Sequence, residues 1–366
     1  MRRCLLAVNL LVLLTSVGCF GLFAPDRNSL VVDNTAPGSE FKSDPDFGKT
    51  EVGADSATAK AISGAQIYAD FDSVHIEMIV GKAYESCKGA GFPVSVGGQP
   101  YVLTAGHNCF SMAKYRKVFV YFKNSCQSPE EAEFAVGDPN IDWALLRFKK
   151  PGFAYQGKYP KLGLANGLVI GEAVFSIGSS SGTEHSFKTG IVEQIICGRN
   201  NGQTQPRLII HSCQLEPGNS GGPLLNSRGE VVGINVMANM SKGIAVPIDD
   251  VIASIRRVKK GGKFEHPYLD FLLMETKWLN EADYTERLKV PTPGQSGLVV
   301  YVCDSSSSIA KAGLKLGDLV LECAGVEAKD SAEVYRHLML DFDPGDEVEF
   351  KVLRGKEKLT FKIQLE

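Results

Sequence analysis

One serine in the sequence has the surroundings that nucleophilic chemistry requires. It is Ser220, in the run EPGNSGGPL at residues 216–224. A nucleophilic serine needs an exposed tight turn, and flanking glycines let the backbone approach a substrate without Cβ atoms in the way. The turn of Gly218, Asn219 and Ser220 would then form an oxyanion hole, with the N–H groups of Gly218 and Ser220 as donors. The alternative is a glycine-rich hairpin turn whose serine does no chemistry.

The base that would activate this serine is expected to be His107. A serine hydroxyl is a poor nucleophile until a base removes its proton, and the chain offers six histidines. His107 follows the apolar, strand-like run YVLTAG at residues 101–106, which ends in small residues. His211 is nearer to Ser220 along the chain, but it lies within a β-like run and is expected to face a sheet surface. A loop histidine without a catalytic role is the alternative for His107.

The base in turn needs an acid that fixes its tautomer and stabilises the imidazolium. Two aspartates are available in the run DPNIDWALL at residues 138–146. Asp138 precedes a proline, which is typical of a turn. Asp142 borders the apolar run, where a carboxylate persists only with a partner. We therefore predict that Asp142 is the acid, with a strand-capping role as the alternative.

Short strands are the elements that must position these side chains. Between about residue 65 and residue 257, short apolar runs are broken by glycine, proline and asparagine, which favours a β-sandwich or barrel over βαβ units. The predicted strands include Val74–Val80, Tyr101–Thr104, Val118–Phe122, Trp143–Phe148, Ala173–Ile177, Gly190–Ile196, Leu208–Ile210 and Val231–Val236. One helix is predicted over Asp249–Val258, and the run KKGGK at residues 259–263 reads as a hinge.

The last hundred residues have the pattern of a separate α+β module. Strands are predicted at Leu298–Val302 and Asp318–Glu322, and a helix at Ser331–Leu340. Apolar residues alternate over residues 348–352 and again over 359–365. Such alternation indicates half-buried strands, and a terminal antiparallel pair accounts for both runs.

The chain order of the three candidate residues is His107, Asp142, Ser220, which is the order of the chymotrypsin-like enzymes and differs from the subtilisin and α/β-hydrolase orders. Together with the surrounding motifs, this order resembles the HtrA/Deg serine proteases, which combine a trypsin-like domain with a C-terminal PDZ domain. The matching segments are Thr104–His107, Asp138–Leu146, Ile177–Gly178, Thr189–Val192, Gly218–Leu225, Gly243–Pro247, Gly297–Val300, Ala310–Leu314 and Leu316–Asp318.

The resemblance implies a mostly β protein with two folded domains. Residues 63–258 would form a trypsin-like double β-barrel, with His107 and Asp142 on the first barrel and Ser220 on the second. Residues 264–366 would form a smaller α+β PDZ-like domain. The implied function is an exported serine endopeptidase that hydrolyses peptide bonds of misfolded or specific protein substrates. Family members commonly form homotrimers.

The resemblance also suggests where substrates bind. Leu215, Asn235, Ile244 and Ala245 would line the S1 pocket, and because none is acidic we expect small or medium aliphatic residues before the cleaved bond. In the PDZ-like domain, Tyr268, Leu269, Asp270 and Phe271 stand where the carboxylate-binding loop of the family begins, and a peptide would add as a strand beside the helix. Asp270 replaces a usual glycine, and its charge puts ordinary recognition of a C-terminal carboxylate in doubt.

The N-terminus predicts export. Arg2 and Arg3 precede a mostly apolar run over residues 5–18, which has the features of a signal peptide at residues 1–18. Cys19 directly after such a cut would be a lipidation site, although Ser16 departs from the usual leucine; an uncleaved anchor and plain secretion are the alternatives. Residues 19–62 lack sustained apolar periodicity and predict a disordered tether. The expected location is the periplasm or cell envelope, with membrane attachment only through a lipid or signal anchor.

The chain has nine cysteines, and seven remain after Cys4 and Cys19 are set aside. In an exported protein some are expected to pair, and an odd number leaves at least one over. Cys197 and Cys213 bracket a predicted hairpin and could pair across it. The resemblance to trypsin-like enzymes suggests a disulfide between Cys87 and Cys109 beside His107. Cys303 and Cys323 form either a pair or two buried thiols in the terminal module, and Cys126 is left over.

Composition excludes other functions. A net charge of −3 gives no electrostatic footprint for nucleic acid, and no CxxC or Cys/His cluster of zinc spacing is present, so neither a metal nor a cofactor is expected. A catalytically silent, PDZ-containing peptide-binding scaffold or chaperone is the alternative function. A secreted trypsin-like enzyme with an unrelated tail is a third possibility, which the motifs over residues 297–318 disfavour.

Overall fold

The computed structural model describes the folded body of the chain. The described residues are 46–47, 61–80, 85–109, 115–123, 128–180, 183–200, 203–239, 242–258, 266–279, 288, 290, 296–303, 305 and 307–366. The predicted signal peptide, Cys19, Cys126 and most of the predicted tether lie outside them. Within the described part, no helix combines the length and the apolar character that crossing a bilayer requires.

Six antiparallel strands close into a first barrel, in the order β1-β2-β3-β6-β5-β4. Alternation explains its core: Val74, Ile76 and Met78 on the first strand point inward, and the residues between them point outward. The strands are β1 (Val74–Val80), β2 (Glu85–Val96), β3 (Gln99–Ala105), β4 (Tyr115–Phe122), β5 (Glu130–Asp138) and β6 (Trp143–Phe148).

A second six-stranded barrel follows, in the order β10-β11-β12-β9-β8-β7. Val174, Ile209, Leu224 and Val232 from four of its strands meet in the core. The strands are β7 (Ala173–Ser180), β8 (Thr183–Asn200), β9 (Gln203–His211), β10 (Pro223–Asn226), β11 (Val231–Asn239) and β12 (Lys242–Pro247). The two barrels belong to one compact unit, and together they confirm the mostly β, double-barrel expectation.

Two helices flank the barrels. The first, α1 (Gly64–Asp70), begins at Ser63, whose hydroxyl accepts from the N–H of Gln66 at 3.2 Å. The second, α2 (Ile248–Arg256), starts one residue before the predicted helix and ends two residues before its predicted end, with Pro247, the last residue of β12, as its N-cap. The apolar face of α2 is buried, as the sequence pattern indicates.

The C-terminal sheet forms in the second compact unit, in the order β13-β14-β15-β17-β18, with β16 paired to β15. Its strands are β13 (Phe271–Glu275), β14 (Leu298–Cys303), β15 (Leu319–Cys323), β16 (Val326–Glu327), β17 (Glu347–Arg354) and β18 (Glu357–Gln364). Its helices are α3 (Ser308–Lys311) and α4 (Ser331–Asp341). Val348, Phe350, Val352 and Ile363 are buried on one face of the predicted antiparallel pair, so the sequence pattern located this α+β module correctly.

Parts of the predicted disordered tether contact the folded body. Phe47 is 2% exposed, and its carbonyl oxygen accepts a hydrogen bond from Arg256 Nε at 2.8 Å. At the far end of the tether, the N–H of Ile62 donates to the carbonyl of Ser227 at 2.9 Å. A lone aromatic residue in a polar segment carries no periodicity, so its burial on the folded domain could not be predicted from pattern alone.

The structure corrects the predicted disulfides. Cys87 and Cys109 are both unpaired, because Cys109 packs into the core of the first barrel while Cys87 stays exposed at its surface. Cys213 is also unpaired and lies in the core of the second barrel, and the side chain of Cys197 is outside the described residues. Burial raises the pKa of the Cys213 thiol to about 12, so it is a core residue rather than a reactive one.

Candidate active site

The serine turn is shaped by a glycine in the left-handed region. The N–H of Asn219 donates to the carbonyl of Glu216 at 3.0 Å, and Gly218 has φ 99°. Pro217 and Gly218 therefore occupy the positions that proline and glycine favour in a type II turn. A Cβ on Gly218 would lie 2.0 Å from the carbonyl oxygen of Ser179. Among the described residues, no acceptor faces the N–H of Gly218 or of Ser220, so both are available to an oxyanion.

Both barrels hold this turn in place. The carbonyl of Ser220 accepts from the N–H of Ala90 at 2.9 Å and from Asn108 Nδ2 at 3.0 Å, both on the first barrel. The N–H of Gly221 donates to the carbonyl of Asn235 on the second barrel at 2.7 Å. Because the backbone on both sides of the serine is anchored, Ser220 can change the direction of its hydroxyl without moving its main chain.

His107 and Asp142 form a close pair. His107 lies in the 3-10 turn Gly106–Asn108 directly after β3. Its Nδ1 is 2.8 Å from Asp142 Oδ2, and its backbone N–H donates to Asp142 Oδ1 at 2.7 Å. Since a carboxylate only accepts, Nδ1 carries the proton and Nε2 keeps the basic lone pair.

Electrostatics agree with this geometry. Burial by itself lowers the pKa of His107, but the charge and hydrogen bond of Asp142 outweigh burial and raise that pKa above its usual value. Asp142 has φ 63°, a left-handed conformation that is uncommon for a non-glycine residue. Two backbone hydrogen bonds, from Asp142 to Asp138 at 2.8 Å and from Gly106 to Asp142 at 3.0 Å, hold it there.

The other candidate aspartate has a different task. Asp138 is fully buried, and its carboxylate accepts from the N–H of Asn140 at 2.9 Å and from Ser254 Oγ at 2.7 Å. It thereby joins β5 to α2. The structure brings Asp142, and not Asp138, to His107, which is the assignment that the sequence favoured.

The hydroxyl of Ser220 bonds to a main-chain carbonyl and not to His107. Ser220 Oγ donates to the carbonyl of Val236 at 3.4 Å, the long end of the range. Between the described side chains of Ser220 and His107 there is no hydrogen bond. Rotation about the Cα–Cβ bond of Ser220 is the movement that would direct the hydroxyl to Nε2.

The predicted S1 residues are mostly inaccessible. Asn235 and Ala245 are fully buried and Ile244 nearly so, whereas Leu215 is only partly buried. The amide of Asn235 is occupied by neighbours: Nδ2 donates to Ser176 Oγ at 2.9 Å and to the carbonyl of Pro223 at 3.0 Å. Of the four side chains, only Leu215 keeps exposed surface, and Ala245 contributes to the core of the second barrel. That these residues line the S1 pocket stays a prediction.

A histidine that the sequence placed on a sheet surface is instead fully buried beside these residues. His211 Nε2 is 3.0 Å from Asn235 Oδ1 and therefore donates to it, while Nδ1 has no partner among the described groups. The ring lies so close to Gly243 that a Cβ there would be 2.0 Å from it. Burial lowers the pKa of His211 to about 4, against opposing contributions from Asn235 and the Glu193 carboxylate.

We predict that His211 makes the fold sensitive to mild acid. The unfolded chain binds a proton at this residue near pH 6.5, whereas the folded chain does so only near pH 4, so stability falls as pH drops through that interval. The loss between pH 8 and pH 5 should be about 2 kcal/mol. Urea unfolding of a Ser220→Ala background, with and without His211→Gln, measures it: the substitution should reduce the pH dependence by this amount. If the free energy of unfolding depends equally on pH in both proteins, the prediction is contradicted.

The helix α4 bonds to the predicted peptide-binding edge of the terminal module. The N–H of Leu273 on the edge strand β13 donates to the hydroxyl of Tyr335 on α4. At the end of β13, Glu275 Oε1 accepts from the N–H and hydroxyl of Ser331, at 3.1 and 2.9 Å. Strand addition requires free backbone donors on this edge, and the donor of Leu273 is occupied in this structure.

The four residues predicted for the carboxylate-binding loop are also engaged. Leu269 and Phe271 are fully buried, and the N–H of Tyr268 donates to the carbonyl of Glu366. The Asp270 carboxylate accepts from the N–H and the hydroxyl of Ser308, both at 3.3 Å. Asp270 thus stabilises the start of α3.

No group of three acidic, histidine or cysteine side chains in the described part is close enough to hold a metal ion. The chemistry that the site can perform is therefore considered from its own side chains. It has a histidine with a fixed tautomer, a carboxylate that stabilises its charged form, and a serine on a turn with two unused N–H donors.

Two barrels with this site between them define a protein with a trypsin-like peptidase fold. The Trypsin-like peptidase domain family matches residues 89–234, and the PDZ domain family matches residues 276–365. With this combination, the chain belongs to the HtrA-type serine proteases that carry a C-terminal PDZ domain.

Known proteins of this kind are similar along most of the chain. "Probable periplasmic serine endoprotease DegP-like" from Pseudomonas putida (strain GB-1) is 31% identical over 288 residues, which are 76% of this chain and 55% of that protein. "Serine protease Do-like HtrA" from Bacillus subtilis (strain 168) is 29% identical, over 74% of this chain and 61% of that protein. The chain thus spans little more than half the length of these relatives.

Solved structures share the fold. The HtrA-type protease AlgW with a bound tripeptide has a TM-score of 0.61 and 22% identity, and the match covers 83% of this chain and 97% of AlgW. At this level of identity the likeness concerns the fold alone.

Proposed function

We propose that this protein is a serine endopeptidase that hydrolyses peptide bonds of protein substrates through Ser220, His107 and Asp142. The observation that carries the proposal is the double hydrogen bond of Asp142 to the ring and the backbone of His107. A loop histidine without a role has no need of a carboxylate held in a strained backbone conformation. The turn of Ser220 adds the nucleophile and, with its two unused N–H groups, the donors of the oxyanion hole.

The steps follow from these positions. Ser220 Oγ attacks the carbonyl carbon of the substrate while His107 Nε2 takes the hydroxyl proton, and the N–H groups of Gly218 and Ser220 stabilise the oxyanion. The C–N bond then breaks, and the leaving amine takes the proton from His107. Water attacks the acyl ester with His107 again accepting a proton, which returns to Ser220 Oγ as the acid is released. Asp142 stabilises the imidazolium during both the formation and the hydrolysis of the acyl ester.

The substrate class is proposed from the wall of the site and from the relatives. Leu215 offers apolar surface beside the serine turn, so we expect small or medium aliphatic residues before the cleaved bond. Relatives named periplasmic endoproteases and the predicted signal peptide support export to the periplasm or envelope and action on misfolded or specific proteins. Lipidation at Cys19 and assembly into a homotrimer are part of the same proposal. Mass spectrometry of the mature N-terminus tests the lipidation, and sedimentation tests the oligomeric state.

The test of the enzyme proposal is covalent labelling by a fluorophosphonate probe. The purified protein should become labelled at Ser220, and a Ser220→Ala variant should not. Because the hydroxyl rests on Val236, the reaction is run with and without unfolded casein as an activating substrate. Absence of Ser220-dependent labelling under both conditions would refute the proposal.

The alternative, a catalytically silent peptide-binding scaffold, finds support in one observation, the hydrogen bond of the Ser220 hydroxyl to the carbonyl of Val236 and not to His107. The intact pair of His107 and Asp142 weighs against it, since a scaffold has no use for a basic Nε2. The same labelling experiment separates the two, because a scaffold binds casein without reacting at Ser220.

We also propose that the terminal module binds peptides only after α4 releases the edge of β13. A Tyr335→Phe variant loses the hydroxyl that occupies the N–H of Leu273, so it should bind fluorescent peptides with apolar C-termini several-fold more tightly than the native chain. His337→Gln, on the same helix, serves as the control because His337 contacts Asp341 and the carbonyl of Ala324 instead of β13. Equal affinity of all three proteins would contradict this regulation.

A further inference from the structure

A second buried histidine bridges the two barrels at the back of the serine turn. His75 lies on β1, where Val74, Ile76 and Met78 point into the first barrel, so its side chain points outward. It is nevertheless only 2% exposed, because it faces the second barrel. His75 Nδ1 lies 2.6 Å from Ser179 Oγ, at the end of β7. The pair thus joins residues 104 positions apart.

The imidazole of His75 is oriented by its own barrel. Its ring packs against Tyr121 on β4, with ring centroids 5.5 Å apart. The hydroxyl of Tyr121 in turn donates to Glu77 Oε2 at 2.9 Å. In this orientation Nδ1 bonds to Ser179 at the end of β7.

The end of β7 is the wall against which the oxyanion turn rests. The carbonyl of Ser179 occupies the space where Gly218 lacks a side chain, since a Cβ there would be 2.0 Å from that oxygen. Gly178 makes the same close approach to Asn219: a Cβ on Gly178 would be 2.5 Å from Asn219 Oδ1. Ser186 Oγ reaches both Asn219 Oδ1, at 3.3 Å, and the carbonyl of Gly178, at 3.4 Å.

An oxyanion hole works because its donors are fixed before the charge develops. The hydrogen bonds that anchor the serine turn are made by Asn219, Ser220 and Gly221. Gly218 itself makes none within the described part of the chain, so its position also depends on the wall behind it. A displacement of Ser179 would pass directly to Gly218, because the two are in van der Waals contact with no space between them. A contact that holds Ser179 in place therefore also helps to hold the N–H donors of the oxyanion hole in place.

We propose that His75 is a positioning residue for the oxyanion hole: its hydrogen bond to Ser179 keeps the end of β7 against Gly218, so that the N–H groups of Gly218 and Ser220 stay aligned on the substrate carbonyl. This inference rests on the proposed endopeptidase function. It adds a residue of the first barrel to the oxyanion hole, whose N–H donors all belong to the second barrel.

The test uses two substitutions that remove the bond from either side, His75→Leu and Ser179→Ala, and one that restores it, His75→Asn, whose amide reaches about as far as Nδ1. With a peptide amide substrate, the first two should lower kcat about 10²-fold, the loss that a displacement of about 1 Å produces, with KM unchanged within twofold. Affinity for a peptidyl boronic acid, which places a tetrahedral oxygen in the hole, should fall in parallel. The double variant should be no worse than either single one, and His75→Asn should recover most of kcat.

Ser254→Ala is the matched control, because it also removes a buried hydroxyl bond between two elements, to Asp138, but touches no residue of the turn. It should lower the melting temperature and leave kcat within a few-fold of native. If Ser179→Ala loses no more kcat than Ser254→Ala at equal loss of stability, or if His75→Asn fails to recover activity, the positioning role is refuted. A native protein without fluorophosphonate labelling would instead refute the proposed function itself, so the two failures are distinct.

Discussion

Replacing Asp142 with asparagine should lower kcat for peptide amides about 10⁴-fold, the loss that follows when the base is left in the wrong tautomer. An asparagine can keep the bond from the backbone N–H of His107 through its Oδ1. Its Nδ2 would then donate to Nδ1 of the ring, which forces the proton onto Nε2. The nitrogen that must accept the proton of Ser220 is thereby blocked, while the shape of the site is preserved.

The measurement compares kcat after titration of active sites, with circular dichroism to confirm the fold. Asp138→Asn is the matched control, since Asp138 lies four residues away and its carboxylate bonds Ser254 and Asn140 rather than His107. We expect that control to lower the melting temperature and to keep kcat within a few-fold of native. An Asp142→Asn protein that retains a tenth of native kcat would remove Asp142 from the proposed triad.

Replacing Gly218 with alanine should lower kcat about 10²- to 10³-fold, which is the loss of one oxyanion donor. Backbone strain and a steric clash both contribute to this loss of kcat. The φ of 99° is unfavourable for alanine, and the new Cβ would lie 2.0 Å from the carbonyl oxygen of Ser179. The turn must move, and the N–H of Gly218 moves with it.

Gly171→Ala separates backbone strain from misplacement. Gly171 has φ 92°, nearly that of Gly218, but an added Cβ would meet nothing within 4 Å. This control should lose a similar amount of stability to strain and keep its activity. Peptidyl boronic acid affinity should fall for Gly218→Ala alone; equal effects in both variants would show that the turn does not form the hole.

The candidate site residues could be predicted from the sequence because each carries a local signature. Ser220 stands among glycines, His107 follows an apolar run that ends in small residues, and Asp142 borders a buried strand. The division into a strand-rich body and an α+β module was likewise visible, since alternation over a strand is a local pattern. The structure brings His107 and Asp142 together as those signatures indicate.

What escaped prediction depends on contacts between distant segments. His75 and Ser179 are far apart in sequence, and nothing in β1 distinguishes an outward residue that meets water from one that meets a second barrel. The same reasoning applies to His211, whose burial depends on which strand lies opposite. The disulfides failed for a related reason: spacing shows which cysteines are near in sequence, whereas pairing depends on which way Cys87 and Cys109 face.

The anchoring of Ser220 by Ala90 and Asn108 has a consequence for how the chain is made. A growing or partly exported chain that ends before the second barrel holds His107 and Asp142 but no nucleophile. A chain that has just reached Ser220 still lacks β11, whose Asn235 holds Gly221 in place. In the proposed mechanism, a chain at either stage therefore lacks a complete site, and the site is assembled only when nearly the whole double barrel has been made.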